Sequence, residues 1–178
     1  MLEKISSKTI FFKLADVEDA EFILELRTNT EYNKHLSVTK ASLTEQRKWL
    51  AEYKNREKEK KEFYFIIYRK DSDERIGTVR MYDFVDNIKS FCWGSWILNE
   101  RKTASSALES ALLVYKIGFY SLGFEQSHFD VRKDNGKVIA FHNKMGAIET
   151  STNEIDIFFN YTKEKFEDKI QSFKKYLG

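Results

Sequence analysis

The spacing of apolar and polar positions along the 178-residue chain changes several times, and each change marks an element. Thr9 to Leu14 reads as a first strand. Asp16 is placed to cap a helix that runs to about Arg27, with Ala20, Ile23, Leu24 and Arg27 on one face. A polar segment, Thr28 to Lys40, follows. Ser42, with Glu45 three residues on, is a capping-box pattern that opens a second helix with Trp49, Leu50 and Tyr53 as its apolar face. The period then shortens. Phe63 to Tyr68 is a continuous aromatic and β-branched run, Asp71 to Glu74 a turn, Arg75 to Tyr82 a strand, Asp83 to Asn87 a second turn, and Phe91 to Leu98 the third strand of a meander. Gly94 inside that strand marks a bulge or a close backbone approach.

The second half alternates helix and strand. Ser106 with Glu109 predicts a helix start, with Leu108, Ala111, Leu112 and Tyr115 as the buried stripe and Gly123 as its end. His128 to Val131 is a strand that follows a crossover helix and can therefore lie parallel to the strand before it. Asp134 is placed to cap a further helix, with Val138, Phe141, His142 and Met145 on one face and Gly146 where a terminating glycine belongs. Glu154 to Tyr161 reads as a last strand and Lys163 to Leu177 as an amphipathic helix. The order β-αα-βββ-α-β-α-β-α predicts an α+β fold. With no proline and no low-complexity linker, residues 1–178 are read as a single domain.

Composition narrows the function classes. An aromatic content of 15% within 42% hydrophobic residues argues for a packed core. No apolar run is long enough to span a bilayer and the first residues lack a secretory pattern, so a cytoplasmic protein without a membrane partner is expected. A net charge of +2 gives no electrostatic case for nucleic acid. The charge run Lys54 to Glu62 alternates in sign and reads as a solvated helix end. The lone Cys92 reads as a small apolar residue, and no Cys/His spacing calls for a metal.

The chemistry concentrates between Trp93 and Gly146. A strand feeding a helix through the small, polar turn Lys102-Thr103-Ala104-Ser105-Ser106-Ala107 is an anion site, because the first amides of a helix lack partners and its dipole favours negative charge. That turn, the element order, and the segment from Asp134-Asn135 through Phe141-His142-Asn143-Lys144-Met145-Gly146 together resemble the GNAT superfamily of N-acetyltransferases. The resemblance implies a mixed, mostly antiparallel central sheet with a splayed parallel strand pair and helices on both faces. It implies acetyl-CoA as co-substrate, with the pantetheine arm along Ile97, Leu98 and Asn99 and the pyrophosphate on Lys102 to Ala107. The family pattern carries glycines there, and this chain has Thr103, Ser105 and Ala107 instead. Asn135 falls on a cofactor-binding asparagine, and His142 where many members carry a tyrosine that protonates the leaving thiolate. Imidazole, with an unperturbed pKa of about 6.5, can do that near neutral pH, although a histidine on an apolar face can equally be a packed one.

Leu26-Arg27-Thr28-Asn29, Glu31 to Lys34 and Glu45 to Leu50 resemble two subgroups, one acetylating nucleotide-linked amino sugars and one acetylating ribosomal-protein N-termini. Phe129 to Asn135 leans toward the sugar subgroup, so the partner expected is a small-molecule amine. A non-catalytic CoA-binding module is the third reading, motivated by the missing glycines. Asp130 is a candidate base, or a structural hydrogen-bond acceptor. His35 and Arg27 are candidates for acceptor binding, Arg27 through phosphate. Asp83 reads first as a turn residue. Trp93 and Trp96 differ in strand parity, which predicts opposite faces, one in the core and one lining the acceptor cleft; Trp93 is taken as the acceptor-side ring. The C-terminal strand and helix are candidate homodimer contacts.

Overall fold

A computed structural model describes Leu2 and residues 5–35 and 42–178. The last part of the polar segment after the first helix, 36–41, and residues 1, 3 and 4 lie outside the described residues. Eight strands form one sheet: β1 (Ile5–Ser6), β2 (Ile10–Leu14), β3 (Phe63–Arg69), β4 (Arg75–Val85), β5 (Ser90–Leu98), β6 (Gln126–Arg132), β7 (Ile148–Thr152) and β8 (Asp156–Thr162), in spatial order β1-β2-β3-β4-β5-β6-β8-β7. All neighbours are antiparallel except β5 and β6. The helices are α1 (Ala20–Thr28), α2 (Leu43–Lys58), α3 (Ser106–Lys116), α4 (Gly136–Met145) and α5 (Lys163–Ile170).

The sheet separates two apolar clusters, and β3 shows why its sequence is continuously apolar. Phe63, Phe65 and Ile67 enter the larger cluster with α3 and α5, while Tyr64 and Ile66 enter the smaller one with α1 and α2. Both faces of the strand are buried, so the alternation that marks a half-exposed strand is lost. No helix among the described residues is long and apolar enough to cross a membrane.

The differences from expectation are local. Asp16 caps a short 3-10 turn, Val17–Asp19, ahead of α1. The buried face of α1 is Ala20, Ile23 and Leu26, with Leu24 and Arg27 half-buried. Ser105, not Ser106, precedes the first helical residue of α3, and the Ser106 side chain is buried. Asn135, not Asp134, caps α4 by accepting the Val138 amide. β7 was not visible in the pattern because Ile-Glu-Thr-Ser-Thr is exposed throughout on the sheet edge. The C-terminal helix ends at Ile170 and continues as a 3-10 segment, Gln171–Tyr176.

Candidate active-site cleft

β5 and β6 lie in register only at Ser90↔Gln126 and Phe91↔Ser127, after which they diverge. A hydrogen-bonded chain pins the closed end: Asp83 accepts from or pairs with His128 Nε2 at 2.8 Å, and His128 Nδ1 lies 2.5 Å from the buried Ser90 hydroxyl. Asp83 thus has a partner beyond its turn role.

A bulge shapes the open end. The β4–β5 pairing steps from Arg80↔Gly94 to Thr78↔Ile97, so Ser95 and Trp96 together stand opposite Val79. Ser95 takes a left-handed conformation (φ 47°) and its carbonyl accepts the Thr78 hydroxyl at 2.9 Å. The extra residue resets the parity of the strand. Trp93 and Trp96 therefore share one face, their rings 5.1 Å apart, rather than opposite faces. Trp93 is 5% exposed and donates its indole N–H to the Tyr115 hydroxyl, which makes it the floor of the cleft and not a platform for an acceptor ring. Trp96 donates to the Ser110 hydroxyl.

The cleft left between the strands has a volume of about 650 Å³. It gathers most of the residues singled out above: Trp93, Ile97, Leu98, Asn99, Lys102, Ala107, Asp130, Asn135 and His142, with His35 at its mouth. His35 Nδ1 lies 3.0 Å from the Asp134 carboxylate, and the Tyr32 hydroxyl meets Glu100, so the segment after α1 reaches across the opening. Thr103, Ala104, Ser105, Ser106 and Arg27 do not line the cleft. The hydroxyls of Thr103, Ser105 and Ser106 are bonded to protein groups instead. The Ser106 and Glu109 amides donate to the Thr103 and Ser105 carbonyls, so an anion at this turn would meet the positive end of the α3 dipole and the Lys102 ammonium. Arg27 sits on the α1–α2 side of the sheet, where its guanidinium and that of Arg80 flank the buried Tyr64 hydroxyl. Arg132 and Lys137 also line the cleft and were not singled out in the sequence. Their signal is position: Arg132 ends β6 and Lys137 opens α4.

Charge states differ from those expected of isolated side chains. His142 is 2% exposed, ringed by Trp93, Trp96, Phe129, Phe141 and Phe159, and its Nδ1 has no partner among the described residues. Burial pushes its imidazole down to about 3. The expectation that His142 delivers a proton as imidazolium near neutral pH is therefore corrected: the ring is neutral there and can offer only a neutral N–H. Partial desolvation, then the nearby Asp156 carboxylate, raise the Asp130 carboxyl above its ordinary value against the opposing pull of Arg132, although the residue itself is exposed at the cleft. Burial pushes the Cys92 thiol up to about 11, so it is no thiolate nucleophile.

The buried imidazole has a thermodynamic consequence. An unfolded chain protonates histidine near pH 6.5, whereas folded His142 resists protonation down to about 3. The unfolded state then binds the extra proton, and stability falls as pH drops through that window, by up to about 1.4 kcal/mol per pH unit. In His142→Phe this component is expected to vanish, flattening the decline between about pH 6.5 and about pH 5 in urea unfolding. Equal slopes in both proteins would mean the imidazole is protonated in the folded chain.

The comparisons with known proteins agree with this geometry. The model of the acetyltransferase (GNAT) domain matches residues 10–148. A probable N-acetyltransferase, YjcK of Bacillus subtilis (strain 168), is 26% identical over 124 residues, covering 66% of this chain and 68% of that protein. The structure of apo FdhC, described as a nucleotide-linked sugar GNAT, superposes with a TM-score of 0.92 at 48% identity over 98% of both chains. Spermidine N-acetyltransferase from Vibrio cholerae, solved with CoA and spermine, shares the fold (TM-score 0.76, 14% identity, 89% of this chain and 98% of that one). With the family model covering most of the sheet and the splayed pair at its centre, the chain belongs to the GNAT family of acetyltransferases.

Proposed function

We propose that the chain transfers an acetyl group from acetyl-CoA to the primary amine of a nucleotide-linked amino sugar. The observation that carries the acceptor is the 48% identity, over nearly the whole of both chains, to a protein described as a nucleotide-linked sugar GNAT. The cofactor half is supported by the cleft, whose residues fit the group: a bulged strand edge for a pantetheine arm, a helix start with Lys102 for a pyrophosphate, and a buried, unpartnered His142 nitrogen facing an apolar wall.

Acetyl-CoA supplies the activated acetyl thioester. The residues of the chain do the rest. The amides of the bulge at Ser95 and Trp96 stand outside the regular β4 pairing and can donate to a thioester oxygen. Asp130, with its raised affinity for a proton, is placed at the cleft to take one from the acceptor ammonium. His142, neutral, would pack against the thioester sulfur or offer it an N–H, and the second proton that the amine releases as the amide forms would go to the departing thiolate. His35, tied to Asp134, stands at the mouth where an acceptor enters. Arg27 and Arg80, on the α1–α2 side, flank the Tyr64 hydroxyl, and Arg80 also pairs with Glu62 and lies over the Tyr82 ring.

Lys102→Glu is expected to weaken acetyl-CoA binding about tenfold through charge reversal beside the pyrophosphate, an effect that shrinks as salt is added. Calorimetry at two ionic strengths checks this, and unchanged affinity would move the pyrophosphate elsewhere. The acceptor is tested by following free thiol from acetyl-CoA with a nucleotide-linked amino sugar, the same sugar without its nucleotide, and an N-terminal peptide. The nucleotide-linked sugar should give the largest kcat/KM. A preference for the peptide would assign the chain to protein N-termini, and no thiol with any amine would leave a binding module.

A further inference from the structure

The turn ahead of α3 contains no glycine, and what holds it is a buried carboxylate. Glu109, on the first turns of α3, is fully buried. One of its oxygens accepts from the Ser7 hydroxyl and from the Thr9 amide (2.8 Å); the other accepts from the Thr9 hydroxyl (2.7 Å) and the Ser105 hydroxyl (2.5 Å). A second layer continues from it. Thr9 Oγ1 lies 2.7 Å from Thr103 Oγ1, which lies 2.7 Å from Ser106 Oγ, and the Thr103 amide donates to that same Ser106 oxygen at 2.8 Å. No cation pairs with Glu109 among the described residues. A buried, unpaired carboxylate is costly, and four donors offset that cost. Burial raises the proton affinity of Glu109, and the hydrogen bonds from Ser105, Ser7 and Thr9 outweigh it, so the group stays ionised.

This arrangement has an odd electrostatic sense. Glu109 places a negative charge behind a turn that would hold a pyrophosphate, so it cannot contribute by attraction. Its contribution is geometric. It consumes the hydroxyls of the turn and ties the turn to the start of β2, which fixes the position of Lys102 and Ala107, the two residues of the turn that line the cleft. The same cleft is lined by His142, whose buried Nδ1 has no partner among the described residues, an independent sign that a ligand completes it.

We propose that Glu109 is a positioning residue for the CoA pyrophosphate, acting through Ser7, Thr9 and Ser105 to preset the Thr103–Ala107 turn. This rests on the reading that the head of α3 takes the pyrophosphate. A consequence is that Thr9, the residue just ahead of β2 and more than ninety residues before the turn in sequence, governs cofactor affinity.

The test compares wild type with Glu109→Gln, Thr9→Val and Ser105→Ala. Acetyl-CoA affinity is measured by calorimetry, kcat and KM by thiol release, and amide exchange of residues 103–108 without ligand. Glu109→Gln and Thr9→Val should raise both the dissociation constant and KM for acetyl-CoA about tenfold, or about 1.4 kcal/mol. The acceptor KM and kcat should stay near wild type, and the 103–108 amides should exchange faster. Ser105→Ala should show the same split more weakly, and it carries the test if Glu109→Gln does not fold. A role confined to packing would lower the melting temperature and leave affinity per folded molecule unchanged, which would overturn the proposal. If Lys102→Glu also leaves affinity unchanged, the placement of the pyrophosphate has failed; if Lys102→Glu weakens binding and the Glu109 and Thr9 variants do not, only the role of Glu109 has.

Discussion

Deleting Ser95 is expected to remove acetyl transfer while leaving a folded sheet. The β4–β5 ladder is regular from Arg80↔Gly94 to Tyr82↔Cys92 on one side of the bulge and from Thr78↔Ile97 to Gly77↔Leu98 on the other, so removing the extra residue lets Gly94 and Trp96 follow one another as ordinary strand neighbours. Trp93 and Trp96 keep their shared face, and the larger core retains its lining. What is lost is the kink at Ser95, the residue proposed above, with Trp96, to offer its amide to the thioester oxygen, together with the Thr78 hydroxyl's grip on the Ser95 carbonyl. Loss of an oxyanion donor costs about 10² to 10³ in kcat, so turnover should fall by that amount with cooperative melting retained. A deletion variant with near wild-type turnover would show that the bulge amides do not touch the reacting carbonyl.

Replacing Gly77 by alanine is expected to have the largest effect on stability. A Cβ on Gly77 would stand 2.1 Å from the Ile97 carbonyl oxygen and 2.9 Å from Leu98 Cδ2. The clash is with backbone, in the β4–β5 pair at Gly77↔Leu98, and it cannot be relieved by rotating a side chain. The strand end that would carry the pantetheine arm must then move away from β4. We expect a loss of about 3 to 5 kcal/mol, which lowers the melting temperature by about 10 °C in a chain of this size. The KM for acetyl-CoA should rise as well, because Ile97 and Leu98 shift. Melting within a degree or two of wild type would mean that β4 and β5 do not approach this closely.

The arrangement of elements was legible because each strand and helix announces itself locally. The run Phe63 to Tyr68, the capping serine Ser42, which accepts the Glu45 amide, and the terminating Gly146 at φ 98° are all short-range signals that packing did not override. Polar β7 carried no such signal, since an exposed edge strand buries nothing that would impose a period. The bulge was half legible: Gly94 marked the place, but parity counting assumes a regular strand, and the unmarked Ser95 reversed the relation of Trp93 to Trp96. The site divides along the same line. The spacing Val138, Phe141, His142, Met145 already placed the histidine on a buried stripe. Its depressed proton affinity depends on Trp93, Phe129 and Phe159, contributed by three different strands, and no local pattern in α4 contains them. Two of the three hydroxyls of the Thr103–Ser106 turn, those of Thr103 and Ser105, were visible as replacements for glycine. That they face Glu109 and Thr9 rather than a ligand follows from the sheet bringing β2 beside α3.

The most direct measurement is a titration of the purified chain with acetyl-CoA, followed by its melting temperature. Saturable binding should raise stability by about 2.7 kcal/mol at a hundred times the dissociation constant, with the rise diminished in Lys102→Glu. No shift at millimolar acetyl-CoA would contradict cofactor binding in the β5–β6 cleft, and with it the assignment of Ile97 to Asn99 and of the head of α3 as the cofactor's seat.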